Sequence, residues 1–170
     1  RFDDFIYLVD TGAIEDDLPV RQWTQADARF SGFEAEGVWH MGETRYGHFD
    51  LRGYGDRVRA SLDAGGDLPR IPQSRLGGEL RWHSGPWLAS VGGVHYFEQD
   101  RVTALETETG SFTLWDANLG YSFSAGAASF ELYLKGENLG DAEARVHTSV
   151  LKDRAPLPGR NVAAGVRVYF

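Results

Sequence analysis

Apolar and polar residues alternate with a period of two along nearly the whole chain, and helical periodicity is almost absent. At the C-terminus Val162, Ala164, Val166, Val168 and Phe170 share one parity, while Gly165, Arg167 and Tyr169 take the other. Phe130, Leu132 and Leu134 alternate with Glu131, Tyr133 and Lys135. The same holds for Thr113, Trp115, Ala117, Leu119, Tyr121 and Phe123, for Leu76, Gly78, Leu80 and Trp82, and for Phe33, Ala35, Gly37, Trp39 and Met41. A strand shows this pattern because successive side chains point to opposite faces. The alternation predicts eight strands, at about 2–9, 20–41, 46–62, 74–83, 86–100, 110–124, 128–138 and 160–170.

The predicted connections fall into two classes. Gly42–Arg45, His83–Pro86 and Ala125–Ala128 read as short turns. The segments 10–19, 63–73, 101–109 and 139–159 are longer, richer in Asp, Glu and Pro, and without strand pattern. Short and long connections alternate, which predicts an antiparallel up-and-down sheet with short turns at one end and long loops at the other. A soluble sandwich or barrel explains the alternation but gives no reason for that asymmetry. In addition Trp39, Trp82, Trp87, Tyr121 and Tyr46 lie near strand ends, and Glu, Arg, Asp, His or Lys recurs on the opposite face. Aromatic side chains at strand ends, apolar residues toward lipid and polar residues toward a lumen are the marks of a transmembrane β-barrel. Strands of about ten residues are long enough to cross a bilayer at a tilt.

Composition narrows the possibilities further. The 170 residues carry 17 Lys+Arg against 25 Asp+Glu, a formal net charge of −8, so no basic stripe is available for nucleic acid. The absence of cysteine excludes disulfides, thiolate metal sites and a thiol nucleophile. No apolar run reaches the ~20 residues of a spanning helix. Arg1 is followed at once by the strand-like Phe2–Val9, so the chain reads as a piece of a longer protein.

The last forty residues resemble the end of a TonB-dependent outer-membrane receptor. Phe130–Lys135 followed by Gly136-Glu137-Asn138-Leu139-Gly140-Asp141 is similar to that family's penultimate strand and the turn after it. Pro156-Leu157-Pro158-Gly159-Arg160-Asn161 is similar to the start of its final strand. Arg1–Leu8 and Ala28–Glu36 also look like strands of these receptors, so the resemblance covers nearly the whole chain. It implies an all-β fold, an antiparallel up-and-down transmembrane β-barrel of which about eight strands are present out of about 22 around a plugged lumen. The expected domain is a single one, residues 1–170 as the C-terminal segment of the receptor barrel. The family's plug, its TonB-contacting segment and its earlier strands have no counterpart in these residues.

The resemblance also implies the setting: the bacterial outer membrane, its lipid, the barrel assembly machinery, a small extracellular ligand, and the TonB complex acting through the plug. Gly165, Val168 and the terminal Phe170 resemble the C-terminal assembly signal of outer-membrane proteins, although Ala163 replaces the usual polar residue. The stretch His147–Asp153 is similar to members associated with metal uptake, including zinc, which makes His147 and Asp153 the candidate ligand-binding residues. An isolated loop histidine is ordinarily just solvated, and a zinc site needs three or four convergent ligands, so no metal site is assigned. Glu15, Asp16 and Asp17 read as a solvated loop tip. His40, His48, His83 and His95 read as scattered, without pairing. No cofactor is expected.

No enzyme is expected either. Nucleophile-elbow, phosphate-loop and metalloprotease motifs are lacking, and Asp50, His48 and Ser84 form no recognisable arrangement in sequence. The leading reading is therefore a segment of a receptor that imports a scarce ligand such as a metal or metal chelate. The alternative is a self-contained eight-stranded barrel with a structural, anchoring or adhesion role, its interior filled by charges such as Glu79, Arg81, Glu131 and Lys135.

Overall fold

The computed structural model describes residues 1–170 as one antiparallel sheet. Its strands are β1 (Phe2–Glu15), β2 (Leu18–Thr44), β3 (Gly47–Leu62), β4 (Arg75–Ser84), β5 (Trp87–Tyr96), β6 (Phe112–Ala125), β7 (Ala128–Glu137) and β8 (Asn161–Tyr169). Each pairs with its neighbour in sequence, in the order β1 to β8. At one end the connections are two-residue turns, Arg45-Tyr46, Gly85-Pro86 and Gly126-Ala127. At the other lie the 63–74, 97–111 and 138–160 loops and the tip of the β1–β2 hairpin. The end-to-end asymmetry expected from the sequence is present.

One expectation fails. Residues 10–19 are not a long loop: β1 runs on to Glu15, and Glu15 pairs with Leu18 across a two-residue turn. Asp16 and Asp17, at φ of 48° and 60°, make the left-handed turn that lets strands of normal twist meet. Asp tolerates that region better than most residues. The hairpin pairs with the N-terminal part of β2 only, Phe2 facing Ala28, whereas β3 pairs with β2 from Ala28 to Thr44. At about 3.3 Å per residue, β2 is far longer than a bilayer crossing requires. Its first half therefore rises beyond the membrane with water on both faces. That is why the apolar–polar alternation fades there.

Only 12 of the 170 residues are buried, so neither face packs against a second layer. That excludes the soluble sandwich, which must bury one face of each sheet. The outward face carries Phe33, Trp39, Trp115, Val162 and Val166, each more than half exposed. Trp39, Phe49, Trp82, Trp87, Tyr121, Phe123 and Phe130 gather on this face toward the turn end, one strand after the next. Trp87 and Tyr121 rings lie 4.6 Å apart, and Trp82 Nε1 donates to the Tyr46 carbonyl at 2.7 Å. This is an interfacial aromatic girdle, in which the Trp and Tyr rings are apolar in body and polar at the tip.

The opposite face is an ion-pair ladder. Arg52 donates to both Glu36 oxygens at 2.9 and 3.0 Å, Arg75 pairs with Asp56, and Arg167 donates to Glu131 at 2.9 Å. Arg81 and Lys135 find their partners along their own strands, in Glu79 at 2.8 Å and Glu137 at 2.7 Å, not across strands as a packed small barrel would require. Water and salt screen such exposed pairs, so the ladder makes a wet wall and adds little stability. The sheet's two ends, β1 and β8, are not hydrogen-bonded to one another, and from Arg29 to Thr44 β2 is paired on the β3 side alone.

Candidate functional site: the loop end of the sheet

The long loops are tied together by buried polar side chains. Gln73, in the β3–β4 loop, donates from Nε2 to the Phe97 and Gly110 carbonyls at 3.0 and 3.1 Å, and its Oε1 accepts the His147 N–H at 3.3 Å. Gln99, in the β5–β6 loop, reaches back to the Ile71 and Pro72 carbonyls at 2.9 and 3.2 Å. Gln99 and Thr109 exchange both backbone hydrogen bonds. A primary amide offers two donors and an acceptor, so one such side chain can join three segments. Each of these loops therefore supplies what the others need.

His147 is central to the junction. Its side chain is fully buried, its Nδ1 lies 2.8 Å from Thr109 Oγ1, and its Nε2 lies 3.2 Å from Glu106 Oε1. The Nε2–Glu106 approach lacks hydrogen-bond alignment. Glu106 also accepts the backbone N–H groups of Arg70 at 2.9 Å and Thr103 at 3.4 Å. Lys152, buried as well, donates to the Thr107 carbonyl, to Thr107 Oγ1 at 2.6 Å and to Thr109 Oγ1 at 3.3 Å. Asp153 accepts from Thr107 Oγ1 at 2.7 Å. The two loop residues singled out from the sequence thus face one strip, 106–109, of the neighbouring loop, and His147 is an internal brace, not a solvated tip. Beside them Arg154 donates to the Asp17 carbonyl at 3.3 Å, so the β1–β2 hairpin tip joins the same assembly.

The motifs after β7 close the base of the last loop. Asn138, in the left-handed region at φ 47°, donates to the Ala142 and Pro158 carbonyls at 2.9 and 3.1 Å and accepts from Ala142 N at 2.9 Å. Its own N–H goes to Asp116 at 2.9 Å. Asp141 accepts the Arg160 N–H, again at 2.9 Å. The two stretches that resemble the receptor family therefore staple to each other across twenty residues.

Burial alone would raise the pKa of Glu106, but attraction to His147 and the backbone N–H groups of Arg70 and Thr103 leaves it below the ordinary carboxylate value. A depressed folded-state pKa means that this contribution is complete above the unfolded value of about 4.3 and is lost as pH falls through the lower folded one. Hydrogen exchange on the full-length protein, corrected for intrinsic rates, should show constant protection of the 101–109 loop from pH 7 to about 5 and a fall only in stronger acid. Loss of protection already at neutral pH would contradict this role.

At the turn end the structure brings together residues the sequence had left apart. His48 lies 3.0 Å from Asp50 through Nε2, and His40 approaches the same carboxylate oxygen. The i, i+2 spacing of His48 and Asp50 puts both on one face and could have marked the pair, although the sequence was read as showing no arrangement there. The part played by His40 has no such mark, because it depends on the cross-strand register. Ser84 hydrogen-bonds to neither His48 nor Asp50. Gly165 and Val168 do not share a face: Val168 points outward, Gly165 lies on the polar side beneath Tyr133, and Phe170 follows the end of β8, fully exposed.

A solved structure described as "Copper transporter OprC" superimposes on 98% of this chain with a TM-score of 0.79 at 19% identity. The chain spans about a quarter of that protein's length, 26%. At that identity the likeness speaks for the fold. Residues 1–139 match the family model described as "TonB dependent receptor-like, beta-barrel". With its outward apolar face, polar inner wall, short turns and braced long loops, the chain belongs to the β-barrel of the TonB-dependent receptor family.

Proposed function

We propose that this chain forms the C-terminal wall of an outer-membrane transporter that takes up a scarce external ligand, a metal ion or metal chelate, with energy from the TonB complex. The observation that carries this reading is the open sheet. An unpaired edge cannot persist in lipid, and at membrane level the free edges are β2 from Arg29 to Thr44 and β8, so the strands call for further partners on both sides. A self-contained eight-stranded barrel would need a β1–β8 seam instead.

Within the larger barrel the braced loops form part of the outer rim where ligand is captured, and the ion-pair ladder faces a wet lumen occupied by the plug. Ligand binding outside is followed by plug rearrangement drawn from the inner membrane. The residues of this chain hold the wall and rim and perform no catalytic step. Val168 on the outward face of the last strand and Phe170 just after it, with Gly165, serve as the signal read by the barrel assembly machinery. The metal class is supported by the His147–Asp153 resemblance and by the name of the copper transporter of similar fold.

Accumulation of zinc and copper in metal-limited cells tests this. Deleting the gene should lower uptake of one of the two ions, and collapsing the proton gradient in the parent strain should lower uptake to the same level. Equal uptake of both ions with and without the gene would remove the metal reading. Uptake that depends on the gene but not on the gradient would remove energised import.

A further inference from the structure

Away from the rim, on the polar face of the β2–β3 hairpin near its turn, His40, His48 and Asp50 place three ligand atoms within 4.8 Å of one another. We propose that this cluster binds one borderline divalent transition ion, Zn²⁺ or Cu²⁺, on the inner wall at the turn end of the barrel. The proposal rests on these side chains and not on what the transporter carries.

A backbone irregularity creates the cluster. Beyond the Arg45-Tyr46 turn, Glu43 faces His48, and an unbroken ladder would then put Met41 opposite Asp50. Instead Met41 and Gly42 together oppose Phe49, so that His40 faces Asp50. Gly42, at φ 83°, supplies the left-handed residue that such a bulge requires. The extra residue also reverses parity. Glu43 and His40, three apart, come to share the face that carries His48 and Asp50.

The donor set suits the proposed ions: two imidazole nitrogens and a carboxylate oxygen, with no thiolate. Asp50 Oδ1 lies 2.5 Å from His40 Nδ1 and 3.0 Å from His48 Nε2. Ligands of a tetrahedral zinc at about 2.0–2.1 Å stand about 3.3–3.4 Å apart, so modest rotations on two rigid strands would admit the ion. While His48 Nε2 faces the site, its Nδ1 lies 3.7 Å from Glu43 Oε1, a carboxylate that a small side-chain movement brings into hydrogen-bond range behind the ligand.

The nearest competing cation is occupied elsewhere. Arg81 is the register partner of Asp50 on β4, yet its guanidinium donates to Glu79 at 2.8 Å. His83, the register partner of His48, stands on the same face but outside the 4.8 Å set. Three protein ligands and one open position describe a site that exchanges its ion, whereas a closed structural site would fill all four.

The test uses the full-length receptor in detergent, stripped with chelator and dialysed against micromolar Zn²⁺, with bound metal counted by elemental mass spectrometry. The double variant His40→Ala/His48→Ala should bind one ion fewer per chain than the parent. Cu²⁺ added to the parent should give an electron paramagnetic resonance signal with coupling to imidazole nitrogen that the double variant lacks. Asp50→Asn keeps the shape of the site and should lose the same ion, which guards against a double variant that fails to assemble. Glu43→Gln should retain the ion but bind it about tenfold more weakly, as loss of a carboxylate behind a ligating histidine does. Equal stoichiometry in the parent, Asp50→Asn and any assembled double variant would overturn the proposal, whatever ion the transporter imports.

Discussion

Replacing His147 by alanine is expected to release the last long loop while leaving the membrane strands intact. The substitution removes the partner of Thr109 Oγ1 and the imidazole packed against Glu106, whose side chain is only 7% exposed. Leaving a buried polar group without its partner typically costs about 1–3 kcal/mol, and more for a carboxylate. Glu106 keeps the Arg70 and Thr103 N–H groups, which places the loss at about 3 kcal/mol. Opening of the loop should therefore become about a hundredfold more frequent. Two measurements on the full-length protein report it: amide exchange over residues 140–155, and tryptic cleavage after Lys152, which is buried in the closed loop. Unchanged exchange and cleavage would mean that the loops are held by something other than this junction. Lys152→Met should behave similarly, since it strips three hydrogen bonds from Thr107 and Thr109.

Enlarging Gly165 should damage the last strand, for a reason distinct from the assembly signal. A Cβ added there would lie 2.5 Å from Tyr133 Cζ and 2.8 Å from Cε1. The Tyr133 ring covers the glycine, with the Arg167 guanidinium 4.7 Å from its centroid. Gly77 beneath Tyr54 repeats the arrangement on β3 and β4, with the Arg52 guanidinium 4.8 Å from the ring. Gly165→Leu must push the ring off the wall, at about 1–3 kcal/mol for such overpacking and more if β8 shifts against β7. The amount of heat-resistant, folded barrel in the outer membrane should fall accordingly. A second substitution separates the two explanations. If the damage is steric, Tyr133→Ala should restore Gly165→Leu, since residues in contact couple. If Gly165 acts only as part of the assembly signal, the double variant should be as poor as the single. Phe170→Ala, at a side chain that is fully exposed, should lower assembly and gain nothing from Tyr133→Ala.

The sequence was legible where one face meets lipid and the other meets water. There the period of two is enforced on every strand, and β3 to β8 lie within a few residues of the ranges it predicts. It was illegible where that contrast ends. The upper half of the β1–β2 hairpin has water on both faces, so Thr11 to Leu18 carry no alternation and read as loop. β5 fails in the opposite sense: Phe97 and Gln99 continue its parity but belong to the braced loop, where the Gln99 amide turns inward to another loop.

The candidate sites divide on the same line. Asn138, Asp141 and Arg160 were found through the motifs that contain them, because each acts within one loop. Gln73, Gln99 and Thr109 gave no signal. Their partners in other loops lie up to 74 residues away, and nothing local marks a glutamine that will be buried. His48 and Asp50 could have been found from their spacing of two, but Gly42 read as part of a turn, and the bulge that sets His40 opposite Asp50 shows only in the cross-strand register.

The central claim is that these strands are one part of a larger closed barrel. The measurement that tests it most directly is the intact mass of the outer-membrane polypeptide that contains this sequence. The 170 residues weigh 18.9 kDa and span 26% of the copper transporter of similar fold, so a mass several-fold above 18.9 kDa is expected. A membrane-inserted polypeptide of about 18.9 kDa would contradict the claim and require the β1–β8 seam of a small barrel.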